Sequence, residues 1–202
     1  YNISATVIIK DDKKGGNTGS MAGLEELGLS GLTGSSQNID NELEVLRSKT
    51  LVKEVVNLLN LYVSYTDEDE FPSKNMYKTS PVLVSLTPQE AEKLSDPMIV
   101  EMSLHPKGSL DVGVTIGKKE YQKHFEKLPA VFPMDEGTLA FFQSPDSLMV
   151  KKDTTEESST QNIRHITAKI NSPMKVARAY CENLRIEPTS KKTSVAVISL
   201  KN

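Results

Sequence analysis

The longest run of helical periodicity in the chain lies between Asn38 and Tyr65. Ile39, Leu43 and Leu46 recur at i, i+4 and i+7, and Leu51, Val55, Leu58, Leu59 and Tyr62 resume the stripe, so one helical face is apolar over many turns. Asn38 is placed to cap the first turn, with Asp40 and Glu42 near the positive end of the helix dipole. Ser48, Lys49 and Thr50 shift the phase of the stripe and offer a second cap, which predicts a kink or two helices in series. From Leu61 the period changes to two, and Tyr62-Val63-Ser64-Tyr65 reads as the start of a strand.

Elsewhere the pattern is mainly that of strands. Ile3 to Lys10 is β-branched and apolar enough for a central strand buried on both faces. Pro81 to Leu86, Met98 to Leu104, Leu110 to Ile116 and Leu139 to Phe142 read as further strands, the second and third joined as a hairpin across Pro106 to Ser109. Pro88 to Leu94 is partly helical, and Lys118 to Lys127, with Tyr121 and Phe125 at i and i+4, reads as a short surface helix. Ile163 to Ile170 alternates as a strand, Asn171 or Ser172 caps a helix with Pro173 at its first position, and strands follow at Leu184 to Glu187 and Ser194 to Leu200. The predicted fold class is α+β: a mixed, mainly antiparallel sheet packed against a long N-terminal helix, kinked or straight, with a C-terminal strand-helix-strand unit. At 202 residues one domain, 1–202, is expected, with mobile loops over about 13–37 and 145–161 and one short helix at Met21 to Leu27.

Charge and composition narrow the function classes. A net charge of -3 with 24 scattered Lys and Arg does not make a phosphate-binding surface, so no nucleic-acid partner is expected. No run reaches the ~18 apolar residues needed to span a bilayer, and the start lacks the pattern of a signal peptide. The chain opens on Tyr1 without an initiator Met, as a piece of a longer protein would. One cysteine, Cys181, excludes an internal disulfide, and beside Val176, Ala177 and Tyr180 it reads as a small buried thiol.

The candidate chemical motifs each fall short. Gly28, Gly31 and Gly34 lack the lysine and hydroxyl of a phosphate loop; Gly113, Gly117 and Lys118 are one residue short of one, with Lys119 where a hydroxyl should stand. Asp67 to Glu70 lacks the alternate spacing and turn glycine of a calcium loop and reads as a solvated connection. His105, His124 and His165 fall on different elements without metal-ligand spacing. No catalytic, cofactor-binding or metal-binding residue is assigned, and no cofactor is expected.

The order of segments is more specific than any single motif. YNISATVIIKDDKKG, a Gly/Ser-rich gap, NIDNELEVLRSKTLVKEVVNLLNLYVSY, the strand entry Ser80-Pro81-Val82 and the closing LRIEPTSKKTSVAVISL resemble the extracytoplasmic domain of bacterial polysaccharide chain-length determinants. The similarity is greatest to the membrane-bound tyrosine autokinases of capsule and exopolysaccharide export in Bacteroides-like bacteria. Within it, Asn38, Glu42, Leu46, Arg47 and Ser48 carry the pattern Asn-x-x-x-Glu-x-x-x-Leu-(Arg/Lys)-Ser and form the candidate subunit interface.

The resemblance implies a periplasmic domain between two inner-membrane helices, assembled into homo-oligomeric rings. Its partners would be a polysaccharide polymerase, the export machinery and the nascent polysaccharide. It implies no catalysis in this segment, since the kinase of such proteins is a separate cytoplasmic domain. The charges of the helical segment, Glu42, Glu44, Arg47 and Lys53, are the expected cross-subunit pairs, with plain solvation as the alternative. Two rival classes are a stand-alone carbohydrate-binding or receptor module, disfavoured by 11 Tyr plus Phe and no Trp, and a periplasmic hydrolase, for which no nucleophile elbow or close carboxylate pair is visible.

Overall fold

The computed structural model describes residues 2–9, 35–69, 73–77, 79–144, 163–190 and 195–201. The expected short helix at Met21 to Leu27 and nearly all of the two expected mobile loops lie outside them. The chain packs as two compact units, one made of Tyr1–Val55 with Ala177–Asn202 and the other of Val56–Val176.

The first unit is a three-stranded antiparallel sheet with helix on it. β1 (Asn2–Ile8) pairs with β12 (Val195–Lys201), which pairs in turn with β11 (Leu184–Pro188). Leu43 of helix α1 (Ser35–Leu46) is buried with Ile186 and Ala196, and Leu46, Val7, Ile9, Leu184 and Ile198 pack around them. β1 is therefore an edge strand and not the central, two-sided strand its composition predicts; Ile8 is 75% exposed.

The long N-terminal helix is not present. α1 ends at Leu46, and a second short helix, α2 (Lys49–Leu58), follows. The break has a local cause. The Ser48 amide donates to the carbonyl of Val45 at 3.0 Å, tightening the last turn of α1, while the Ser48 hydroxyl accepts from the amide of Leu51 at 3.2 Å and so caps α2. Asn38 lies inside α1, which begins at Ser35, and is not its cap. α2 stops in a Schellman turn: Asn60 takes a left-handed φ of 53°, its amide reaches the Asn57 carbonyl at 3.2 Å, and the Leu61 amide reaches that of Val56 at 2.9 Å. The stripe predicted to face a core is largely outward, with Leu58 81% exposed.

The second unit is antiparallel throughout, so the predicted mixed sheet is also corrected: the fold is mostly antiparallel β with short helices. Its larger sheet has the order β3 (Lys74–Asn75), β2 (Val63–Asp67), β10 (Arg164–Ile170), β5 (Met98–Leu104), β6 (Leu110–Ile116), β7 (Lys119–Phe125). A three-stranded sheet runs β4 (Val82–Ser85), β9 (Gly137–Gln143), β8 (Ala130–Met134). Alternation puts Met98, Val100 and Met102 of β5, Leu110, Val112 and Val114 of β6, and Ile166, Ala168 and Ile170 of β10 on one buried face. The smaller sheet covers that face: the Tyr62 hydroxyl donates to the Leu86 carbonyl at 2.8 Å, Tyr65 bonds the Val84 amide at 2.8 Å, and the Phe125 ring lies 5.7 Å from that of Phe141.

Residues 119–125 form β7 and not the predicted surface helix. Gly117, at φ 60°, and Lys118 make a two-residue hairpin turn that returns the chain onto β6, pairing Ile116 with Lys119. Tyr121 and Phe125 then share a strand face, since even spacing satisfies period two as well as helical i, i+4 contact.

Two helices complete the described elements. α3 (Pro88–Glu92) is set by a capping box between Thr87 and Glu90. α4 (Pro173–Asn183) follows β10 and runs directly into β11, but these two strands belong to different sheets and do not close one strand-helix-strand unit. Cys181, on α4, is half-buried rather than fully buried.

Candidate functional site

Two surfaces emerge, one in each unit. The first is the segment that carries the candidate interface. Glu42 is exposed; the side chain of Asn38 lies outside the described residues. Leu46 packs on the unit's small core, and Ser48 is the cap of α2. Arg47 donates to the Glu44 carboxylate at 3.0 Å and to the backbone carbonyl of Ile186 on β11. Leu46, Arg47 and Ser48 thus each hold the local structure together. Beside exposed polar residues such as Glu42, Glu44 and Glu54, apolar side chains on the same helices are open: Val45 is 56% exposed, Leu51 36% and Val55 43%. An exposed apolar strip of this kind is the ordinary signature of a protein contact.

The second surface is the exposed face of the larger sheet. Register sets His165, Ser103, Asp111 and His124 directly opposite one another on β10, β5, β6 and β7. The Asp111 carboxylate is held from two sides, by His124 Nδ1 at 2.5 Å and His105 Nε2 at 2.6 Å. These hydrogen bonds, that of His124 first and that of His105 second, hold the Asp111 carboxyl below the usual carboxylate range. Ser103 Oγ lies 3.1 Å from His165 Nδ1.

The three histidines, scattered in sequence, thus share one face, each against a polar partner. Hairpin register assembles them, and a helical reading of 118–127 hides it, because only as a strand does that segment bring His124 to Asp111. Among the described residues no group of His, Cys, Asp and Glu has the arrangement to hold a metal ion.

Beside this face, Asp67 is buried and bonded by Arg164 Nη2 at 3.0 Å, and Asp69 accepts from the His165 amide at 2.8 Å. The start of the acidic run is therefore structural, not simply solvated: unpaired, a buried carboxylate would be costly. A second concavity, of about 440 Å³, lies between Lys93, Asp96, Lys118 and Glu136; there Lys119 Nζ and Glu136 pair at 2.6 Å and the Tyr121 hydroxyl reaches the same carboxylate at 3.0 Å. These contacts depress the Glu136 carboxyl pKa, Lys119 foremost.

No family model matches the chain, and no curated protein matches it. No helix among the described residues is long and apolar enough to cross a membrane.

Proposed function

We propose that this chain is the non-catalytic periplasmic domain of an inner-membrane polysaccharide co-polymerase. In this reading it regulates the length and export of capsular or exopolysaccharide as a ring of copies acting with a polymerase. A tyrosine kinase of the same protein would lie in a separate cytoplasmic domain. The observation that carries the reading is the open apolar strip of Val45, Leu51 and Val55, which supports contact between copies. The charged residues that the family pattern nominates are less suited to that contact, because Arg47 is engaged within its own unit. The pairing of β1 with β12 is a second support: it sets the first and last strands side by side, an arrangement compatible with that reading. The alternative, a stand-alone periplasmic carbohydrate-binding or receptor module, shares the polar sheet face but gives the apolar strip no role.

The test is the polysaccharide length profile of cells whose full-length protein carries Leu51→Glu with Val55→Glu at normal membrane level. Carboxylates on an apolar contact must desolvate or break it. The expected result is a shifted modal length or loss of long polymer; an unchanged profile overturns the reading.

A further inference from the structure

On the exposed face of the larger sheet, Glu101, Gly113 and Gln122 stand opposite one another on β5, β6 and β7, and Ser103, Asp111 and His124 form the adjacent row. Gly113 lacks a side chain, and the surface dips there into a groove of about 460 Å³ lined by these residues together with Val112 and Lys123. Packing does not demand the glycine. A Cβ at this position would come no nearer than 3.7 Å to any atom, the Glu101 Oε2, an ordinary contact, and no left-handed φ is present. A mid-strand glycine that neither backbone nor neighbours require weakens the strand, and it leaves the backbone open to the approach of a ligand.

The chemistry of the rim is specific. It offers two carboxylates, an amide, a hydroxyl and an imidazole, and Asp111 is fixed by His105 and His124 before anything binds. Lys123 borders the groove, but its ammonium lies 5.3 Å from the ring centroids of Phe125 and Phe132, and Phe125 belongs to the buried face. The rim is thus rich in acceptors and carries negative charge.

We infer that the groove at Gly113 binds a saccharide segment, neutral or amino-substituted, whose hydroxyls donate to Glu101, Asp111 and Gln122. Carboxylate and amide oxygens accept from sugar hydroxyls, short side chains such as Ser103 lose little rotamer freedom, and the two carboxylates repel uronate- or phosphate-bearing segments. The choice of a glycan rests on the length-control reading; the groove itself does not.

The test is an amide NMR titration of the 202-residue chain with the neutral hexamer of N-acetylglucosamine, and with the hexamer of galacturonic acid as the anionic counterpart. The expected result is shifts confined to residues 101–103, 111–113 and 122–124 with the neutral hexamer and none with the anionic one. Gly113→Val fills the groove while favouring the strand, so it should weaken binding by about tenfold or more at an unchanged or higher Tm. Gln122→Ala should weaken binding without disturbing the fold. No shifts at these residues, shifts elsewhere only, or equal binding by Gly113→Val would overturn the inference. Failure here alongside a length shift from Leu51→Glu with Val55→Glu removes the groove and keeps the length-control reading; the opposite pattern removes that reading.

Discussion

The two units balance burial and exposure in opposite ways. In Val56–Val176 two sheets enclose a dense interior in which Val82, Met98, Val100, Leu110, Leu139, Phe141, Ala168 and Ile170 are fully buried, although Leu58, Leu59, Val131 and Phe142 are exposed at its edges. Among the described residues of Tyr1–Val55 with Ala177–Asn202 the buried apolar ones are Leu43, Ala177, Ile186 and Ala196, while Ile3, Ile8, Val45, Leu51 and Val55 are exposed. Burial of apolar area is the main favourable term in folding, and among the described residues most of it lies in the second unit. The open apolar side chains Val45, Leu51 and Val55 are the reason for proposing protein contact in the first unit, and the acceptor-rich groove at Gly113 is the reason for proposing ligand contact in the second.

Core truncations break or sharpen this contrast with the largest effect. Phe141→Ala removes a fully buried ring that touches Phe125 and should cost about 3–5 kcal/mol, whereas Leu43→Ala should cost about 2 kcal/mol because its half-open surroundings can relax. Urea unfolding gives the totals, and native-state hydrogen exchange assigns them. Phe141→Ala should deprotect β5, β6 and β10, and Leu43→Ala only β1, β11 and β12. Equal costs, or loss of β5 protection in Leu43→Ala, would mean that both units open together and that the contrast has no energetic content.

The same contrast explains what could be read from the sequence. Strands of the second unit are legible because alternation there is real: Met98, Val100 and Met102 of β5 and Leu110, Val112 and Val114 of β6 are buried and the residues between them are not. Helix 173–183 announces itself through Pro173 at its first position. The first unit misleads because its apolar residues are not all core. Leu51 and Val55 of the stripe read as a buried helix face, and the run around Ile3 and Ile8 as a central strand, yet these side chains are exposed. Periodicity reports which residues avoid water, not whether the same chain covers them. At Ser48 the competing hydroxyl, foreseen as a second cap, outweighs the continuity of the stripe and splits the helix. The polar row on the larger sheet could not be read at all without β7, since period-four aromatics at Tyr121 and Phe125 suit helix and strand alike.

A smaller effect probes the enclosed interior. Burial pushes the Tyr65 phenol up to about 12, partly offset by its hydrogen bond to Val84. Tyr65→Phe leaves the Val84 amide without its partner and should cost about 1–3 kcal/mol. Because the folded value is raised, the contribution is fully present below the ordinary tyrosine pKa, near 10, and is lost as pH rises through about 12. In an ultraviolet titration one phenol should therefore ionise late and together with unfolding of the second unit. Ionisation of all tyrosines near 10 in a still-folded chain would refute the enclosed position of Tyr65.

The smallest effect lies on the polar face, where Asp111 is exposed and tied to His124 and His105. Its carboxyl pKa is lowered by the hydrogen bond from His124 and, next, by that from His105. A lowered value means that the contribution is present above the ordinary aspartate pKa, about 3.9, and is lost as pH falls through the lower folded value. Neutral and mildly acidic conditions thus leave the carboxylate charged, and with it the acceptor character of the groove. A carboxyl carbon NMR titration should place the Asp111 midpoint below the ordinary aspartate value, about 3.9. His124→Ala should raise that midpoint more than His105→Ala, with little change in global stability, since a solvated pair contributes little to folding. If neither substitution moves it, the histidines do not hold the carboxylate. The groove then has a loose acceptor at its rim, and the contrast between a preorganised polar face in one unit and an open apolar strip in the other reduces to composition alone.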